Sequence, residues 1–278
     1  EQPTGSFKVR PALTGMLTHL EEAKARGVIA SSSGNFAQAV AFAAARLDVS
    51  AQIVMPSNTS PYKIQRTREF GGARTEVILS GPSFDKRWAL TEKLQRETGR
   101  LLLHPYDSIE TIAGDGTLAL ELLEQIDGDF TVVVPTSGGG LLAGIAVVLK
   151  HERPGCRVIG VQPQVNGSMA KSFVLGKRVQ VASFVTEADA LVAAIPGERT
   201  FEVIKQHVDA VVEVSEEELR QGVRLLYKQH GMIVEAGGAA AFAAHLTHKI
   251  DTRSLPLVCV ISGKNISPQK HAEMIGSR

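Results

Sequence analysis

The chain has 278 residues, 44% of them hydrophobic and 21% charged, with a formal net charge of +1. That length and balance suit a soluble globular protein with one or two sizeable cores. They give no basic run for nucleic acid or an anionic membrane surface, and no apolar stretch of about 18 residues to span a bilayer.

Strand-like apolar runs alternate with helix-period runs along the chain. The strands read at Val28–Ser32, Ala51–Pro56, Glu76–Ser80, Arg100–Pro105, Phe130–Pro135, Arg157–Gln162, Ala210–Val214 and Leu255–Ile261. Helical stretches between them include Arg10–Arg26, Phe36–Leu47, Phe84–Thr98, Thr117–Ile126 and Leu141–Arg153. Ser215-Glu216-Glu217-Glu218 has the form of a capping box opening a helix over Glu216–Gln229. Gly27, Gly71, Gly99 and Gly231 stand where helices should stop. Strict alternation implies an α/β fold with parallel sheets covered on both faces, and Thr131-Val132-Val133-Val134 has the continuous apolar character of such a strand. The domain switches fall near Gly27 and His104. The two cysteines, Cys156 and Cys259, lie in apolar strand-like segments and read as buried reduced thiols. With no signal-peptide pattern, a cytoplasmic location is expected.

Three small-residue loops follow strands. Val134-Pro135-Thr136-Ser137-Gly138-Gly139-Gly140-Leu141 joins a strand to a helix; consecutive glycines let backbone N–H groups approach an anion, and the helix N-terminus favours it. It is neither a P-loop nor the spaced glycine pattern of dinucleotide folds. Ser31-Ser32-Ser33-Gly34-Asn35-Phe36-Ala37-Gln38 offers hydroxyls, an amide and orphan N–H groups, which suits a substrate carboxylate. Ser262-Gly263-Lys264-Asn265 is a third polar turn at a strand's carboxyl end. Taken singly, each has a plain structural reading as a tight turn or an N-cap cluster. A fourth element, Lys8 in Gly5-Ser6-Phe7-Lys8, is flanked by small residues and an aromatic ring at a helix entry. Such a lysine can be desolvated and its amine freed. One lysine amine, one anion cradle and polar turns together suit an aldehyde cofactor carrying a phosphate, pyridoxal 5'-phosphate (PLP).

The ordered set resembles a known family. Gln2-Pro3-Thr4-Gly5-Ser6-Phe7-Lys8-Val9-Arg10 resembles the lysine motif of fold-type II PLP enzymes, in the serine/threonine dehydratase and serine racemase group. Ser33-Gly34-Asn35 is similar to its asparagine loop, Ser137–Leu141 to its phosphate loop, and Ser262–Asn265 to its Ser-Gly-Gly-Asn turn. His104-Pro105-Tyr106-Asp107 and Ile112–Thr117 also match in family order.

The resemblance implies two parallel-sheet α/β domains of the tryptophan synthase β-like architecture. A small domain is expected over 27–104, and a large PLP-binding domain over 1–26 and 105–278, with the cofactor in the cleft between them. By resemblance, Lys8 binds PLP and moves the substrate's Cα proton, while Phe7 borders the ring. Asn35 bonds the ring 3-oxygen, and the amides of Ser137, Gly138, Gly139, Gly140 and Leu141 hold the phosphate. Ser262 faces the pyridine nitrogen, with Glu235 near the ring. Ser32, Ser33 and Phe36, at the start of its helix, receive the substrate carboxylate. Ser33 has a second implied role, as acid/base on the face opposite the lysine, which racemisation requires.

The implied reaction is dehydration and deamination of a small hydroxy amino acid such as threonine or serine, in a homodimer. Racemisation, hydroxyaspartate dehydration and a non-catalytic relative stand as alternatives. Several residues depart from the family pattern: Phe36 for histidine, Lys264 and Ser137 for glycines, and Asp115 for glutamine. The family's divalent-metal segment aligns with Gly160–Ser168, where Gln162 and Ser168 replace acidic side chains, so no metal dependence is expected there. The lysine motif begins almost at Glu1, without an initiator Met, so a preceding segment is expected. Only about one helix follows Asn265, which fits a catabolic-type enzyme without a regulatory domain.

Overall fold

The structure is a computed structural model and describes residues 2–182 and 184–276. The chain divides into two compact units, Glu1–Pro105 and Tyr106–Arg278.

The first unit runs α1 (Val9–Thr18), α2 (Leu20–Arg26), β1 (Val28–Ser31), α3 (Asn35–Leu47), β2 (Ala51–Pro56), α4 (Pro61–Gly71), β3 (Thr75–Ser80), α5 (Phe84–Thr98) and β4 (Leu101–Leu103). Its strands form one parallel sheet in the order β3-β2-β1-β4. Every residue of β1 is buried, as a central strand covered on both faces requires. Alanines dominate the buried face of α3, which lets the helix lie close to its neighbours α1 and α4. α1 packs on α3 and β4, and α2 on β4.

The second unit runs α6 (Ile109–Gln125), β5 (Thr131–Pro135), α7 (Gly140–Glu152), β6 (Arg157–Pro163), α8 (Ser168–Leu175), α9 (Glu198–His207), β7 (Ala210–Val214), α10 (Glu216–His230), α11 (Ala236–Leu246), β8 (Leu257–Cys259) and α12 (Pro268–Ile275). The sheet is again parallel, in the order β7-β6-β5-β8, and β5 is buried throughout. α6 and α7 cross at Gly116 and Gly144. A Cβ on Gly144 would lie 2.4 Å from the Ile112 carbonyl oxygen, so no larger residue fits without separating the helices.

Several boundaries differ from the sequence reading: the strand read over Leu255–Ile261 is Leu257–Cys259, that over Arg100–Pro105 is Leu101–Leu103, and others shift by a residue. The helix expected over Arg10–Arg26 breaks at His19 (φ −120°, ψ 38°). Its apolar stripe ends at Met16, and α2 buries only Ala23. The helix expected from Thr117 begins at Ile109 instead, capped by Ser108, whose hydroxyl accepts from the Thr111 N–H at 3.1 Å. Gly114 and Gly116, which look like breakers, are held inside it by the close crossing with α7. Gly71 is the last residue of α4, and Gly72 (φ 50°) makes the stop. The capping box at Ser215 forms: its hydroxyl accepts from Glu218 N–H (3.3 Å), and its own N–H donates to the Glu218 carboxylate (2.6 Å).

Both sheets have the same chain path. In each, two strands are added on one side of the first, and the last strand returns to its other side. The order therefore reverses between β1 and β4, and again between β5 and β8. Open α/β sheets hold ligands at the carboxyl ends of strands at such reversals. Ser32–Asn35 follows β1, Pro105 follows β4, Thr136–Gly139 follows β5, and Ser262 lies beyond β8.

Candidate active site

In the first unit, Lys8 is the residue before α1, and its side chain takes no part in capping that helix. The Nζ donates to the carbonyl oxygen of Pro105 at 2.5 Å, which brings the amine to the carboxyl end of β4. It lies 4.8 Å from the Phe7 ring centroid and 5.7 Å from that of Phe36, which is itself buried. Both distances put the amine within cation–π range of a ring.

Phe36 is in the first turn of α3, so the lysine amine is beside that helix's N-terminus. Gly34 caps α3 with no side-chain bond, so the helix end presents its amides to an anion. The Ser32 hydroxyl accepts from Gly34 N–H at 3.3 Å and shapes the turn. Ser32, Ser33 and Asn35 are half-buried. Lys63 adds a cation that the sequence reading did not single out: its Nζ is 3.9 Å from the position a Cβ on Gly34 would take. No local pattern could have signalled it, because α4 is brought there by the sheet order.

In the second unit, Ser137–Leu141 forms a cradle between β5 and α7. Gly139 has φ 105°, ψ −5°, a conformation L side chains rarely adopt. The loop carbonyls and hydroxyl are tied down from behind. Gly138 O accepts from the Thr200 hydroxyl (2.6 Å) and from Gly197 N–H (3.0 Å), and the Ser137 hydroxyl accepts from Ala193 N–H (2.9 Å). Asp107 fixes that support by accepting from Glu198 and Thr200 N–H at the start of α9 (2.9 and 3.1 Å). Thr200 was invisible in the sequence, since it meets the loop from 62 residues away. Among the described residues, the N–H groups of Ser137, Gly138, Gly139, Gly140 and Leu141 donate no hydrogen bond outside α7. Clustered unused amides at a helix N-terminus match the needs of a phosphate.

Glu235 and Ser262 come together in the same unit. Glu235 precedes α11, is buried, and donates its N–H to Gly263 O at 3.2 Å. A Cβ on Gly238 would fall 2.2 Å from that same oxygen, so α11 is seated directly on the Ser262–Asn265 turn. Ser262 and Asn265 are buried, while Lys264 is exposed.

In the segment Gly160–Ser168 the Gln162 side-chain amide bonds to its neighbours. Gln162 Oε1 accepts from Met169 and Ala170 N–H (2.8 and 3.2 Å), and its Nε2 donates to Ser168 Oγ (3.3 Å). Ser168 Oγ in turn donates to Ala193 O (2.7 Å). Among the described residues, no cluster of His, Cys, Asp or Glu is placed to hold a metal ion, and no helix is long and apolar enough to cross a membrane. Both cysteines are free thiols. Burial pushes both upward, Cys259 to about 11, so neither supplies a thiolate at neutral pH.

The chain as a whole has counterparts among known proteins. The sequence model of a family described as "Pyridoxal-phosphate dependent enzyme" matches residues 1–263. The chain belongs to this family. Among its relatives, the L-threonine ammonia-lyase of Geobacter sulfurreducens is 42% identical over 265 residues, covering 95% of this chain and 65% of the relative. The chain thus spans just under two thirds of that relative's length. The solved structure of the processed form of threonine deaminase isoform 2 from Solanum lycopersicum superposes with a TM-score of 0.90 at 34% identity, over 100% of this chain and 80% of that one. Maize serine racemase superposes with a TM-score of 0.91 at 33% identity, over 99% and 84%. The family's cofactor is PLP, and the residues present fit it: a lysine amine beside two rings, and a row of unused amides suited to its phosphate.

Proposed function

We propose that this chain catalyses the β-elimination of a small β-hydroxy amino acid, L-threonine or L-serine, to a 2-oxo acid and ammonia. The observation that carries the reading is the placement of the Lys8 amine, beside the Phe36 ring at the N-terminus of α3. A base and a carboxylate-binding helix end are then neighbours. The activities named for the threonine ammonia-lyase and threonine deaminase relatives support the same reading.

When bound, PLP supplies an aldehyde carbon for the amine and a conjugated ring that takes up the electron pair left at Cα. The remaining work falls to the protein. Lys8 Nζ would hold the cofactor and would be the group that accepts the substrate's Cα proton. Ser32, Ser33 and the first amides of α3 hold the substrate carboxylate, with Lys63 adding positive charge behind Gly34. The amides of Ser137–Leu141 would hold the phosphate, Phe7 would border the ring and Asn35 would bond its 3-oxygen. Ser262 would offer a neutral hydroxyl to the pyridine nitrogen, with Glu235 near the ring.

Ser33 favours a second activity. A hydroxyl acting opposite Lys8 would complete two-face proton transfer, and maize serine racemase is 33% identical to this chain. Racemisation of serine, or dehydration of 3-hydroxyaspartate, is the alternative reaction. A cytoplasmic homodimer acting on small amino acids, with no metal held through Gly160–Ser168, completes the proposal.

The test is a panel of L-serine, L-threonine and 3-hydroxyaspartate scored for ammonia and 2-oxo acid, with chiral analysis of the unreacted amino acid. Ammonia and 2-oxo acid are expected in equal amounts from L-threonine or L-serine. A PLP-loaded protein that releases neither from any of them contradicts the elimination reading, and inversion without ammonia assigns it to racemisation.

A further inference from the structure

Residues 193–197 form a short irregular strip behind the anion cradle, and their backbone groups are divided between two sets of partners. The N–H groups serve the loop. Ala193 N–H donates to the Ser137 hydroxyl (2.9 Å), and Gly197 N–H donates to Gly138 O (3.0 Å). The carbonyls are held from elsewhere. Ala193 O accepts from the Ser168 hydroxyl (2.7 Å), Ala194 O from Val181 N–H (2.9 Å) and Pro196 O from Arg178 Nε (2.9 Å). Of these three ties, the one from Ser168 falls on the residue that itself bonds the first serine of the cradle.

Ser168 is fully buried and is the first residue of α8. Its hydroxyl has a single proton, which goes to Ala193 O, and the oxygen accepts from Gln162 Nε2 (3.3 Å). Gln162, on β6 and also fully buried, bonds the Met169 and Ala170 N–H groups through Oε1. It thereby caps α8, for which Gly167 has no side chain to offer, and seats Ser168 against Ala193. A chain of hydrogen bonds therefore runs from β6 through Ser168 and Ala193 to the Ser137 side chain. Ser137 departs from the family's glycine, and a glycine there could not accept the bond from Ala193.

We propose that Ser168 is a positioning residue for the cradle. Acting through Ala193, it fixes Ser137 and so the direction of the loop's amides, which then need less ordering when an anion arrives. The inference rests on the reading that Ser137–Leu141 holds the cofactor's phosphate.

The test is a titration of apo-protein with PLP, with pyridoxal, which lacks the phosphate, and with inorganic phosphate. Wild type is compared with Ser168→Ala, Ser137→Ala, the double variant, and Ser168→Thr, which keeps a hydroxyl. Each alanine variant is expected to bind PLP and inorganic phosphate about fivefold more weakly, the effect of one hydrogen bond, with pyridoxal affinity unchanged. The double variant is expected to be no weaker than either single one, because both break the same path. Ser168→Thr should stay within about twofold of wild type. Additive losses, or an equal loss for pyridoxal, would reduce Ser168 to general packing and overturn the proposal. Unchanged phosphate affinity in Ser137→Ala would overturn it too, and that result is readable even where Ser168→Ala fails to fold. A wild type that binds pyridoxal as tightly as PLP and ignores inorganic phosphate would instead overturn the cradle reading, and the proposal with it.

Discussion

Replacing Lys8 with alanine is expected to lower kcat by about a thousandfold or more while leaving the fold intact. Removing a positioned proton acceptor costs roughly 10²–10⁴ in rate, and Lys8 would also lose its covalent role as the cofactor's anchor. Folding does not depend on the side chain: α1 takes no side-chain cap from it, and the hydrophobic face of that helix begins with Val9. Loss of the bond to Pro105 O returns that carbonyl to water. The melting temperature of the apo-protein is therefore expected to move by no more than a few degrees, taking the loss of one hydrogen bond as about 1 kcal/mol. Phosphate binding by the cradle should persist, so PLP would still bind, without its lysine-linked absorbance. A Lys8→Ala protein that turns over substrate at near wild-type rate would remove the base from the scheme.

Gly139→Ala is expected to have the second-largest effect, this time on cofactor affinity and stability together. At φ 105° an alanine is strained by about 1–2 kcal/mol. Its Cβ would also approach Ile204 Cδ1 at 2.8 Å, and Met169 Cε and Thr200 Oγ1 at 2.9 Å. The first two are flexible tips. Thr200 is not, because its hydroxyl holds Gly138 O and its N–H is held by Asp107. Overpacking of this kind adds about 1–3 kcal/mol. The loop relieves the contact by turning its amides, so PLP affinity should fall about a hundredfold, in keeping with two lost charge-assisted hydrogen bonds. Titration of the apo-protein checks it. Unchanged PLP affinity in a folded Gly139→Ala variant would show that this loop does not grip the phosphate.

Much of this was legible in the sequence because the determinants are local. Strands Ala51–Pro56 and Ala210–Val214 occur as read, since β-branched and apolar runs bounded by polar residues leave little choice. The capping box at Ser215 needs only four consecutive residues, and it forms. The three loops were readable as strand-to-helix or strand-end turns, and the sheet order puts all of them at reversals of strand order. What could not be read depends on residues far apart in sequence. Gly114 and Gly116 look like helix breakers until α7 is placed against them. Pro105 O on Lys8, Thr200 behind Gly138, Lys63 beside Gly34 and Asp115 beside Gly140 all arise from tertiary packing with no periodic or spacing signal. The break at His19 was missed because charged residues after it keep a helical composition while the apolar stripe has already ended at Met16.

The most direct measurement is reductive trapping. Borohydride makes the bond between a lysine amine and a pyridoxal carbon permanent, and peptide mass mapping then locates it. The account predicts a single phosphopyridoxyl group on Lys8, in the peptide beginning near Gln2, with loss of the visible absorbance. A label on another lysine, such as Lys264, or a PLP-saturated protein that takes up no label at all, would contradict it.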